Sequence, residues 1–173
     1  MDTATQLVLD VHRHSSWANS QLLSAAAQLP LQQLRAPIGE GGYGDLLETL
    51  VHMYDAQESW LDRARTGTNG PELNIQDFPD IPTLRAAWQK LDAEMDTYLA
   101  SLDEKALLQP VFNRSFGGSE STFTRKDMMI HQAFHSHQHR GEAALILTQL
   151  GHSPGELDFI DYVDVRDAGS ETM

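Results

Sequence analysis

Four long stretches of this chain repeat apolar residues at intervals of three, four and seven, with turn signals between them. That spacing belongs to amphipathic helices and excludes a sandwich or a doubly wound sheet. The first stretch covers residues 3–29, with Leu7, Val11, Ala18, Leu22, Ala25 and Leu29 on one stripe and Pro30 as its stop. The second covers 44–65 through Leu46, Leu50, Met53, Trp60, Leu61 and Ala64, and ends at Gly67. The third follows the breakers Pro79 and Pro82 and covers 83–101 through Leu84, Trp88, Leu91, Met95 and Leu99. The fourth covers 125–150, with Gly151 as its C-terminal stop. The expected class is therefore all-α, a four-helix bundle.

The connections carry their own signals. Residues 36–42 read as loop. In residues 110–124, Val111, Phe112, Phe116 and Phe123 flank Gly117-Gly118, which predicts a short β-hairpin before the last long helix. After Gly151 the run from Leu157 to Tyr162 predicts a short terminal helix. A chain of 173 residues suits one domain. We expect residues 1–165 to form the bundle and residues 166–173 to be a disordered tail.

Charge and composition narrow the function. There are 12 Lys and Arg against 25 Asp and Glu, a formal net charge of −13. Binding to nucleic acid or to an anionic membrane draws on basic side chains that this chain lacks. With no cysteine, disulfides, thiolate zinc sites, a cysteine nucleophile and a cysteine-held iron–sulfur cluster are all excluded. Any metal must use nitrogen and oxygen ligands. The N-terminal segment shows no basic region followed by an apolar core, and no stretch approaches the ~20 apolar residues of a membrane span. A cytoplasmic setting is expected.

Eight histidines stand out, four of them between His131 and His139. At about 100° per residue, and taking His135 as zero, His131 lies near −40°, His139 near +40° and Glu142 near −20°. Met128 and Ile146, both near +20° by the same geometry, share that face, so the ladder is expected to point into the bundle. His137, about 200° round, is expected in solvent. Histidines four apart stand about 6 Å apart along the axis, close enough to reach one cation from the same side. The H-E-x-x-H pattern of zinc proteases is absent, because Ser136 follows His135. Burying several unpaired imidazoles is costly, and a shared cation offsets the cost.

A third ligand has to come from another helix, and His12, His14 and His52 are the candidates. His14 lies on the stripe of the first helix between Val11 and Ala18. His52 sits about 80° from Trp60, off the edge of its helix's main stripe, so periodicity alone does not choose between them.

The chain resembles the DinB/YfiT-like family of small metalloproteins over nearly its whole length. The resemblance rests on Trp17-Ala18-Asn19 followed by Leu22-Leu23, on Leu50-Val51-His52 with Trp60-Leu61, and on His135-x-x-x-His139-Arg140-Gly141-Glu142. It implies an up-down-down-up bundle and a divalent metal, zinc or nickel, held by His52, His135 and His139. His131 has no ligand role in that pattern and becomes a group beside the ligands. Glu142, Asp55 or a backbone carbonyl could take the second ring nitrogen of a ligand histidine.

Three histidines leave coordination positions open, where a metal can lower the pKa of a bound thiol or water. Relatives implied by the resemblance include S-transferases that use low-molecular-weight thiols such as mycothiol or bacillithiol. The expected function is thus a metal-dependent transferase acting on a small thiol and an electrophile. The alternatives are a metal-dependent hydrolase and a metal-binding or stress-related bundle without turnover. Glu142 is the leading candidate for a general base or a ligand-orienting carboxylate, with Asp55 behind it. Arg140 is expected in an ion pair or at a helix end, Gly141 at a close helix contact or the approach of a loop, and the three tryptophans in the core. Homodimerisation through helix faces is compatible with a bundle of this size.

Overall fold

The computed structural model describes residues 1–38, 44–71, 73–114 and 118–170. Its long helices begin where a side chain caps them. Asp2 caps α1 (Thr3–Ala26), Asp80 caps α4 (Ile81–Ala100), and Thr124 caps α6 (Arg125–Gln149). Before α3 (Leu46–Thr66), Asp45 and Glu48 form a reciprocal capping box. Single-turn helices α2 (Leu31–Leu34) and α5 (Glu104–Leu107) sit in the connections, and α7 (Phe159–Ser170) closes the chain.

Cross-helix bonds fix the topology. Glu104 N donates to Asp2 at 3.0 Å and Arg85 to Ser24 at 3.2 Å, so α1 and α4 run antiparallel. Arg140 meets Asn19, and His152 meets Gln28, so α1 and α6 run parallel. Trp60 lies against His131 and His52 against His139, so α3 and α6 run antiparallel. Gln57 meets Asp92 and Tyr98 meets Ala64, so α3 and α4 run parallel. The order is up-down-down-up, with α1 packed on α4 and α6, and α3 on the same two.

The core is the set of stripes read from the sequence. Leu22, Leu50, Met53, Leu84, Trp88 and Leu99 are almost fully buried. Trp88 Nε1 donates to Gln57 Oε1 at 2.9 Å, and Gln57 Nε2 donates to Asp92 at 2.7 Å, a polar chain across the α3–α4 interface. The expected hairpin is β1 (Pro110–Arg114) paired antiparallel with β2 (Glu120–Thr124). It docks where α3 ends: Gly67 has φ +80°, and a Cβ there would collide with the Phe112 carbonyl.

Several expectations change. α4 starts before Pro82 rather than after it, because proline is tolerated in a helix's first turn. Leu7, expected on the core stripe, is 63% exposed. α7 runs on to Ser170 and so covers residues 166–170, read from sequence as the start of a disordered tail. It is pinned by buried Tyr162 and by Arg166, which approaches Asp10 at 3.9 Å. Residues 171–173, and residues 39–42 of the expected loop, lie outside the described residues, as do Phe116 and Gly117. Among the described residues no helix is long and apolar enough to cross a membrane.

Candidate metal centre

α6 carries its histidine ladder on the edge of its buried face, not at the centre. The buried side chains Met128, Gln132, Ser136, Ala143 and Leu147 span about +20° to +120° on the same helical projection. His139, at about +40°, is buried; His135, at the edge, is half-buried; and His131, past it, is exposed. The expectation that the whole ladder points inward therefore fails at His131, whose ring instead lies 4.7 Å from Trp60 at the surface of the α3–α6 groove. His137 is exposed, as expected.

From α3, half-buried His52 completes a triangle with the two inner rungs. Its ring centroid lies 5.1 Å from that of His135 and 4.8 Å from that of His139, while His135 and His139 are 4.6 Å apart. One nitrogen from each of the three can be chosen so that all lie within 4.8 Å of one another. Antiparallel α3 and α6 bring the i, i+4 pair of one helix against a single residue of the other.

The electrostatics suit a cation. Burial pushes the His52 imidazolium down to about 4, with the neighbouring His139 and His135 adding to the effect. Burial lowers His135 in the same way, helped by His139 and His131. Neutral imidazole is the form that donates a lone pair to a metal. His139 Nδ1 lies 2.7 Å from Glu142 Oε2, which leaves its Nε2 for a ligand role. A carboxylate on the far nitrogen is the usual way a ligand histidine is oriented. Among the described residues His135 Nδ1 is buried with no hydrogen-bond partner, an orphaned atom. These features fit a divalent ion.

A cavity of about 560 Å³ adjoins the triangle on the His52 side, lined by Glu48, Val51, His52, Asp55, Leu73 and Ile75 among others. Glu48 is also committed to the α3 capping box. Trp60, expected in the core, is half-buried between His131 and Arg63, whose guanidinium lies 4.8 Å from the ring.

The rival third ligands lie away from the triangle. His14 Nε2 bonds the Leu157 carbonyl at 2.8 Å and packs on Trp17, Phe159 and Tyr162. His12 is buried against Met129 on the α1–α6 side.

The DinB family's sequence model matches residues 1–171. The chain belongs to the DinB family. Among solved structures, this DinB-family chain is similar to YfiT from Bacillus subtilis, described as a probable metal-dependent hydrolase with an unusual four-helix bundle topology. The two share 15% identity and a TM-score of 0.67 over 88% of this chain and 91% of that one. No curated protein matches it.

Two further residues of the DinB-like tetrad depart from expectation. Arg140 is not at a helix end, and among the described residues it has no ion-pair partner. It is 3% exposed and bonds Asn19 Oδ1 at 2.9 Å and the Ser15 carbonyl at 3.5 Å. Desolvation alone pulls it down to about 10, so it stays a cation at neutral pH. Gly141 is exposed, and among the described residues nothing lies within 4 Å of where its Cβ would be, so close helix packing is not its role.

Proposed function

We propose that this DinB-family chain holds a divalent metal, zinc or nickel, on His52, His135 and His139, and that it is a metal-dependent transferase acting on a low-molecular-weight thiol and an electrophile. The observation that carries the reading is the triangle of imidazoles, two of them held neutral by burial, beside an open cavity. A divalent ion bound there supplies Lewis acidity, lowering the pKa of a thiol or water that joins it. The chain itself has no cysteine, so the thiol is a cosubstrate.

Each residue has a part in this reading. Glu142 fixes the ring of His139 through Nδ1, which is a positioning role, and it is also a carboxylate able to accept a proton at the site. Asp55 lines the cavity beside His52 and is the second such group. His131 and Trp60 form an aromatic rim at the outer end of the ladder. The reading includes a cytoplasmic setting. Hydrolysis is the second reading, favoured by the description of YfiT; it uses the same residues with water in place of the thiol.

The test is the metal content of untagged protein purified without chelator or nickel resin. One ion per chain, lost in His52→Ala, His135→Ala and His139→Ala, is the expected result. Absence of bound metal, with no thermal stabilisation on adding zinc or nickel, would overturn the reading. Metal-loaded protein given a thiol with a chromogenic electrophile, and separately an activated ester, distinguishes transfer from hydrolysis.

A further inference from the structure

A second cavity lies on the opposite side of α6 from the histidine triangle. This groove between α1 and α6 holds about 380 Å³, within the range of roughly 300–1,000 Å³ typical of small-molecule sites. Leu7, Val11, Met129, Ile130 and Phe134 give it apolar walls. Leu7 and Phe134 are 63% and 72% exposed at its margin.

The ionisable groups lining it are His12, His14, His137 and Arg140, all of them bases. Among the described residues no carboxylate lines it, in a chain with 25 acids against 12 Lys and Arg and 8 His, and since burial lowers His12 and His14, the buried positive charge there is that of Arg140. Arg140 is the strongest of these observations. Its hydrogen bonds go to neutral oxygens through Nη1 alone, although a guanidinium carries five donors. Among the described residues no carboxylate is paired with it. A buried cation without an anion is costly, and a paired one much less so. Beside it, the Nδ2 donor of Asn19 is buried with no partner among the described residues.

We propose that the α1–α6 groove binds a small apolar carboxylate, its hydrocarbon body along Leu7, Val11, Ile130 and Phe134 and its head paired with Arg140. The apolar walls recognise the body, and the unpaired guanidinium selects an acid over an alcohol or an amine. The site is independent of the metal centre and stands whether or not that centre binds metal.

Calorimetry with octanoate, 1-octanol and octylamine, each kept monomeric, tests this on the full chain. The same titrations on His135→Ala remove any contribution of a metal-bound carboxylate. Octanoate is expected to bind one per chain, about tenfold or more tighter than 1-octanol, in wild type and His135→Ala alike. Leu7→Glu, at an exposed position where folding is not at stake, removes part of the apolar wall and should weaken octanoate and 1-octanol alike, severalfold. Arg140→Gln should erase the preference for the acid. Equal affinity for acid and alcohol, no saturable binding, or binding lost in His135→Ala but kept in Leu7→Glu would each overturn the proposal. So would light scattering that shows a dimer which Phe134→Asp converts to monomer, because a second copy would then occupy the groove.

Discussion

Acid should weaken this fold through one histidine remote from the metal centre, and the size of the effect follows from its burial. His12 is 4% exposed. Loss of hydration pushes its imidazolium down from 6.5 to about 4, outweighing the smaller opposing effect of a hydrogen bond to the Met129 carbonyl. The unfolded chain takes up a proton there near the ordinary pKa, and the folded chain only near pH 4. Between those values the unfolded state binds more protons, so stability falls as pH drops. At ~1.4 kcal/mol per pH unit, the interval from 6.5 to about 4 amounts to roughly 3 kcal/mol. That is a large part of the ~5–15 kcal/mol that holds a domain together.

His12→Gln keeps a donor for Met129 and does not titrate. Urea unfolding of wild type and variant, with chelator present, is measured at pH 7.5 and again at pH 4.5. The variant loses packing and is expected to be the less stable at pH 7.5. Moving to pH 4.5 should shift the difference between the two by about 2–3 kcal/mol in its favour. His14, His52 and His135 titrate in both proteins and cancel. A difference that stays constant within about 0.5 kcal/mol, the usual limit of additivity, would refute the reasoning.

Two more expectations follow from single side chains. Glu142→Gln should weaken zinc binding about 10- to 100-fold in competition with a chromophoric chelator; unchanged affinity would mean that the His139–Glu142 bond does not orient a ligand. Burial raises the Asp92 carboxyl despite its bonds to Gln57 and Ser16, so its charge burdens the fold above its folded pKa and the burden lifts as pH falls through that value. Asp92→Asn should accordingly be more stable than wild type at pH 7.5, with an advantage that shrinks in acid; denaturation midpoints showing a loss at neutral pH would contradict this.

The helices were legible because burial follows spacing: of the core residues read on α3 and α4, Trp60 alone is not fully buried. The same logic misjudged Leu7, since a stripe predicts a face and not how far the neighbouring helices reach along it. Nor did it choose between the candidate histidines. His14 lay on the stripe and is a packing residue satisfied by the Leu157 carbonyl, whereas His52 lay off the stripe and joins the triangle. A site that admits a substrate must sit where a helix passes from core to solvent. Periodicity is least informative at such an edge, and the family resemblance supplied what it could not.

The tetrad His139-Arg140-Gly141-Glu142 reads as one motif but serves two interfaces. Successive residues on a helix diverge by about 100°, so His139 and Glu142 face α3 while Arg140 faces α1. Arg140 meets Asn19, the last residue of Trp17-Ala18-Asn19. The two family elements that look unrelated in sequence are thus in contact, and their bond ties α1 to α6 in the turn that also presents His139. Through that bond a buried cation holds the α6 backbone against α1 while the adjacent residue, about 100° round, joins the histidine triangle. The spacing within the tetrad is therefore set by helical geometry: one side chain anchors the helix and its neighbours hold the site.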